Sequence, residues 1–302
     1  MKGGDTLMFS LKRRTAGDAA FDWVNNVLML VICFITLYPI WYVLVNAFND
    51  GTDAMRGGIY WWPRAFSLDS FKTVFQSSGI MTAMGITVAK TAVGTVAHVL
   101  FTAMVAFAFS RRELIGRKIY MFIGTITMIF PGALIPTYLL IRDLGMIDHF
   151  IVYIIPAMFS FFDLIIFLSF FREIPDGLVE AAEIDGAGDF TVFLRIVIPV
   201  SMPVIATIAL FHGVYQWNDY FTGMIYINDT NMQPIQTYLY RVVAQASSNQ
   251  MISAMPSGVA SNVTSQSLKL ATMVVTTAPI VVVYPFLQKY FVKGFMIGSI
   301  KG

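Results

Sequence analysis

The stretch EIPDGLVEAAEIDGAGDFTVFLRIVIP, residues 173–199, is polar, acidic and punctuated by glycine, and it lies between two long apolar runs. From Arg172 to Pro199 the chain holds six acids (Glu173, Asp176, Glu180, Glu183, Asp185, Asp189) and only two bases, Arg172 and Arg195. The runs on either side, about 150–171 and 197–226, are each long enough to cross a hydrocarbon core, which takes about 20 apolar residues in a helix. A polar loop between two such runs implies a chain threaded back and forth through lipid.

The rest of the sequence agrees. Of 302 residues 57% are hydrophobic and 13% are charged, whereas soluble domains carry about a quarter charged residues. Six apolar runs are expected to span, at about 24–48, 81–109, 119–141, 150–171, 197–226 and 270–288. The expected architecture is all-α and polytopic: an N-terminal tail over 1–23, then one membrane domain over 24–302 with a loop at 172–199. Lys90 interrupts the second run and reads as a snorkelling side chain near an interface. Pro199 and Pro203 make the start of the fifth run irregular. The single cysteine, Cys33, excludes a disulfide framework or a cysteine zinc site within the chain. No cleavable leader is expected, since the first apolar run is too long for a signal core.

Lys and Arg in short loops set orientation. Thirteen fall on the side of the N-terminus, residues 110–118, the 172–196 loop and the C-terminus, against six on the other side. Both termini and the acidic loop are therefore expected in the cytoplasm. Trp41, Tyr42, Trp61 and Trp62 mark the opposite interface as an aromatic belt, and the polar 227–269 segment is the longest external loop.

Chemistry of bond-breaking is not visible. The sequence has no GxxxxGK[ST], HExxH or GxSxG, and its three histidines are scattered. His98 and His212 lie inside runs, where bonding to a neighbouring helix is expected rather than metal ligation. The chain has no nucleic-acid signature, binds no cofactor of its own by this reading, and needs an external source of energy.

Within the acidic loop, Asp176 follows Pro175 and is expected to cap a short helix over LVEAAEID. Gly186 supplies its stop because it tolerates positive φ. Leu178, Ala181 and Ala182 fall roughly on one face, where small side chains admit a close partner. Two turns of helix are unstable alone in water. The residues themselves leave two readings open: a docking element held by a partner, or a surface helix connecting two spans. Polar residues inside runs are candidates for a solute path, because burying them in lipid is costly. These are Asp163, Asn218 and Asp219, with Tyr215 and Trp217 offering rings to a sugar face. The other reading is that they pair with neighbouring helices or pack.

Glu180-Ala181-Ala182, then Gly186, then Ile196-Val197-Ile198-Pro199 resembles the EAA loop of binding-protein-dependent ABC importers, with Ile198 where that pattern has leucine. Trp217-Asn218-Asp219-Tyr220, Pro279 and the ending Gly298-Ser299-Ile300-Lys301-Gly302 resemble the carbohydrate-uptake branch, in particular the second permease subunits of maltose-type and oligosaccharide or alginate importers. The resemblance implies a heterodimer with a second permease subunit, two ATP-binding subunits that hold ATP and magnesium, an extracytoplasmic solute-binding protein, and a prokaryotic cell membrane. It implies ATPase coupling through Glu180, Ala181, Ala182, Asp185, Gly186 and Pro199, with Lys301 and Gly302 reaching the ATPase dimer. The 227–269 loop would probe the binding protein, although 240–267 departs from the maltose-type pattern. An ion- or proton-coupled secondary transporter and a structural membrane subunit are the alternatives. The former needs a relay of intramembrane charges within an inverted repeat, which the sequence does not show.

Overall fold

The computed structural model describes residues 16–111, 113–130, 132–245 and 263–299. Among them the chain is helical, with no strand beyond one antiparallel bridge between Asn49 and Phe66. Helix α1 (Ala16–Ala47) leads through the short α2 (Gly51–Ala54) and α3 (Asp69–Gln76) to α4 (Ser78–Ser110). Then come α5 (Arg117–Ile129) and α6 (Leu134–Asp143), a 3₁₀ turn at Phe150–Tyr153, and α7 (Phe161–Phe171). The acidic loop holds α8 (Asp176–Ile184) and α9 (Asp189–Val192), and a π-helical turn at Phe193–Val197 connects α9 to α10 (Ile198–Val200). Helices α11 (Met202–Asn218), α12 (Phe221–Tyr226), α13 (Ile235–Gln245) and α14 (Ser265–Ser299) complete it.

Helix α4 is the centre. It packs against α7 and α11, while α14 packs against α1, α3, α11 and α13. One apolar core joins Val99, Ala103 and Phe107 of α4 to Leu164 and Phe167 of α7 and to Phe193, Val204 and Ile208. Helix α5 lies close on α7 because Gly124 has no side chain: a Cβ there would stand 1.9 Å from the Phe161 ring. The most apolar window of α1 has no residue buried within the chain, so its hydrocarbon faces lipid or another subunit.

Three helices, α1, α4 and α14, are long and apolar enough to cross a membrane unaided. Two broken pairs satisfy the same condition together: α5 with α6, bent by 114°, and the α9–α10 segment with α11, bent by 83°. The fourth expected run differs. Instead of one helix over 150–171, α7 has 11 residues, about 16 Å of helix against a hydrocarbon core of about 30 Å. The reason is local. Pro156 brings no N–H, and Ser160 caps α7 by accepting the Asp163 N–H at 3.2 Å, so the preceding residues stay irregular. Such backbone is tolerated at membrane depth only where protein covers it or a cavity borders it.

Outside the spans, both carboxylate oxygens of Asp53 accept the Arg64 Nε–H, at 2.9 and 3.0 Å, and Oδ2 also accepts from the Asn49 amide at 3.0 Å. These hold its carboxyl below the ordinary carboxylate value. Trp41 donates to the Trp61 carbonyl at 2.9 Å, with the Trp62 ring edge-on to it at 5.5 Å. The expected external loop 227–269 is not all irregular, since α13 occupies its first half and packs on α4 and α14. Residues 246–262, and with them most of the divergent 240–267 portion, lie outside the described residues, as do Lys301 and Gly302.

Candidate functional site

Two places gather the sequence candidates. The first is the 172–199 loop. Pro175, not Asp176, takes the N-cap position of α8, and Asp176 is its first residue, with its charge at the positive end of the helix dipole. The other end closes as a Schellman motif. The Gly186 N–H donates to the Glu183 carbonyl at 3.0 Å and the Ala187 N–H to that of Ala182 at 2.9 Å. Gly186 sits at φ 82°, in the left-handed region that favours glycine. No heavy atom lies within 4 Å of where its Cβ would stand, so the backbone alone demands glycine.

The faces of α8 differ from the expectation. Val179 and Ala182 turn inward onto the apolar core, together with Ala187. Leu178, Ala181 and Ile184 face out, with Ile184 86% exposed, and Glu180 and Asp185 are exposed beside them. Helical spacing of three and four residues divides the two alanines, so Ala181 belongs to the outer surface and Ala182 anchors the helix. Pro199 is exposed and explains the π turn. With no N–H it cannot close the α-type bond to Arg195, and the Ile198 N–H reaches back five residues to the Phe193 carbonyl. Ser201 then donates its N–H to both Val197 and Ile198 carbonyls, at 3.0 and 3.1 Å, as the chain turns into α11.

Sequence reasoning missed Arg111, which it used only as a topology charge. Its guanidinium donates to the Glu183 carboxylate and, at 3.1 Å, to Asp189. It is 5.7 Å over the Phe107 ring. A groove of about 1000 Å³ runs beneath α8, lined by Arg111, Arg117, Lys118, Glu180 and Glu183 among others.

The second place is a cleft of about 1170 Å³ between α7 and α11. Of the five path candidates it brings together two, Asp163 and Tyr215, with His98 and His212 on the same wall. Asp163 bonds His98 Nε2 at 2.9 Å, and His98 Nδ1 bonds the Ala157 carbonyl at 2.9 Å. The Ala157 carbonyl can only accept, so Nδ1 carries a proton and Nε2 is the nitrogen that faces the Asp163 carboxyl. The His212 ring stacks on His98 at 3.7 Å and 8°. No group of three or more metal-ligating side chains occurs among the described residues.

The other three candidates point elsewhere. Trp217 donates to the Thr276 carbonyl at 3.4 Å, and Asn218 donates to the Val214 carbonyl of its own helix at 2.9 Å. Asp219 is paired with Lys90, whose ammonium donates to its carboxylate at 3.0 Å and to its main-chain carbonyl at 2.9 Å. Lys90 does not snorkel: its side chain is 0% exposed and lies 5.0 Å from the centre of the Tyr153 ring. Beside it Gln216 donates to the Tyr153 carbonyl at 3.0 Å, against Gly94 of α4. A lysine in one apolar run and an aspartate in another was the one signal of this pair in the sequence.

Comparison with known proteins matches these features to one family. Residues 98–297 fit the family model described as binding-protein-dependent transport system inner membrane component. The chain is 38% identical over 283 residues to the polygalacturonan/rhamnogalacturonan transport system permease protein YtcP of Bacillus subtilis, covering 93% of this chain and 98% of that one. It is 26% identical to the arabinooligosaccharides transport system permease protein AraQ of Halalkalibacterium halodurans, over 97% and 100% of the two chains. Among solved structures, a chain of a bacterial ABC transporter that imports the acidic polysaccharide alginate superposes with a TM-score of 0.86 at 28% identity, over 92% of this chain and 99% of that one. This chain belongs to the inner-membrane permease components of binding-protein-dependent transport systems.

Proposed function

We propose that this chain is one half of a heterodimeric permease that imports oligosaccharides, driven by ATP hydrolysis in two separate subunits that carry the nucleotide and magnesium. Fragments of polysaccharides are the substrate class to test first. That choice is supported by the relatives named for polygalacturonan/rhamnogalacturonan and arabinooligosaccharides and by the alginate importer. A solute-binding protein outside the membrane would deliver them, as in a related structure described with an oligosaccharide-bound periplasmic protein. Both termini and the 172–199 loop lie in the cytoplasm on this reading, and the membrane is that of a prokaryotic cell. The secondary-transporter alternative is not favoured by the family match.

The observation that carries the reading is α8 itself. It is a short exposed helix, closed by Gly186 at positive φ, in a chain that has no phosphate-binding loop of its own. Glu180, Ala181, Asp185 and Gly186 would meet the ATPase, with Ala182 holding the helix from behind and Pro199 setting the turn into α11. Lys301 and Gly302 would reach the ATPase dimer. Asp163 and Tyr215 are the better-placed path residues, and Trp217, Asn218 and Asp219 the less well placed.

Gly186→Val tests it. A β-branched residue at φ 82° is strained by about 1–3 kcal/mol, which disrupts the end of α8 and leaves the membrane helices intact. Uptake is expected to be lost, with the protein still inserted and paired with the second permease. Uptake and ATPase binding at the wild-type level in this variant would reject the reading.

A further inference from the structure

Helix α11 is joined directly to the acidic loop, through a π turn and an 83° bend. Helix α4 has no covalent link to α8. It nevertheless carries Lys90 and His98, the first locked to the α11–α12 break and the second on the cleft wall. Its end meets the loop in two ways: Phe107 packs against Phe193, with ring centres 5.5 Å apart, and Arg111, the residue directly after its last turn, supplies the ionic connection.

The geometry suits a connection that transmits displacement. One guanidinium nitrogen of Arg111 serves two carboxylates, Glu183 in the last turn of α8 and Asp189 at the start of α9. These two acids flank the Gly186 turn, so a single cation ties both arms of the loop to one helix end. The Phe107 ring beneath the guanidinium restrains its position, and the arginine side chain is 28% exposed. Charge-assisted bonds from a planar guanidinium are directional as well as strong, unlike those of a lysine.

We propose that Arg111 is a positioning residue for energy coupling, the ionic link that, beside the apolar contact of Phe107, applies movement of α8 to α4 and hence to the cleft wall. This rests on the proposed ATP-driven import, since α8 is moved by the ATPase on that reading. Arg111 touches neither substrate nor nucleotide. Its effect would appear in the number of substrate molecules carried per ATP hydrolysed.

The test uses the full complex in proteoliposomes, with binding protein and an oligosaccharide that the wild type imports, and measures uptake and ATP hydrolysis together. Arg111→Met is expected to assemble, to hydrolyse ATP, and to lower uptake per ATP by about fivefold or more. Arg111→Lys keeps the charge without the fork and is expected to fall between the two. An unchanged uptake-to-ATP ratio in Arg111→Met overturns the proposal. So does failure of Arg111→Met to assemble, because the residue would then hold the fold rather than couple it. Absence of ATP-driven uptake in the wild-type complex would instead reject the importer reading, and the link with it.

Discussion

The 172–199 loop and the seam along α4 face the same problem, broken helix ends, and solve it in opposite ways. In the loop, α8 ends on its own backbone: Gly186 and Ala187 return their N–H groups to Glu183 and Ala182. The loop is exposed, so water is available to whatever is left over. The seam is buried, and side chains from other helices take over. Lys90 reaches the Asp219 carbonyl, Gln216 that of Tyr153, and His98 that of Ala157, while Thr87 Oγ1 accepts the Ile235 N–H at 2.7 Å. An unpaired polar group costs far more at membrane depth than at a wet surface. The contrast predicts that the loop can be damaged with loss of coupling alone, whereas the seam cannot be damaged without loss of the fold.

The largest effect is expected at Lys90. Replacing it by methionine leaves the Asp219 carboxylate buried without its cation and its carbonyl without a donor. Removing one partner of a buried pair costs about 3–5 kcal/mol. Lys90→Met should lower the thermal unfolding midpoint of the detergent-solubilised chain sharply, and Asp219→Asn in the same background should recover part of the loss. A midpoint equal to that of wild type would show that the pair is dispensable and would remove the contrast. Gly186→Val, by comparison, should leave that midpoint nearly where it was.

A smaller effect is expected at Gly94. A Cβ there would lie 2.7 Å from Gln216 Nε2 and 3.1 Å from its Cδ, which forces the amide off the Tyr153 carbonyl. Leaving that buried carbonyl unpaired costs about 1–3 kcal/mol. Gly94→Ala should therefore destabilise the chain, and adding Gln216→Ala should cost little more, because both changes remove the same bond. Full additivity of the two would show that Gln216 had not moved.

The same contrast explains what the sequence disclosed. Ends that are closed locally are written locally: Gly186 and Asp176 at the two ends of α8, and Ser160 with Asp163 at α7, all lie within a few residues of the helix end they serve. The apolar runs that form α1, α4 and α14 are equally direct, because lipid demands about 20 residues in a row, whereas the breaks within the other three are not legible in apolarity. The seam is written across the chain. Lys90 and Asp219 are 129 residues apart, His98 and Asp163 are 65, and Gln216 and Tyr153 are 63. Nothing within a window around Lys90 distinguishes a buried cation from a snorkelling one, and nothing around Arg111 distinguishes a link from a topology charge. The division of Ala181 from Ala182 needed the helix placed against its core, since the spacing alone allows either to face out.

The subtlest prediction concerns Asp163, where the seam opens into the cleft and the two regimes meet. His98 donates through Nδ1 to Ala157, and its Nε2 lies 2.9 Å from the Asp163 carboxyl. In Asp163→Asn the amide N–H₂ donates to Nε2 of a neutral imidazole, and Nδ1–H keeps its bond to the Ala157 carbonyl. Every polar group stays paired, so stability should change by about 1 kcal/mol or less. What the variant removes is the carboxyl group on the cleft wall. Asp163→Leu also removes the bond, and should destabilise the chain as a seam residue does. If Asp163→Asn assembles normally and slows uptake, the carboxyl serves the path; if uptake is unchanged, Asp163 belongs with Lys90 and Gln216 as a group that keeps a broken helix satisfied.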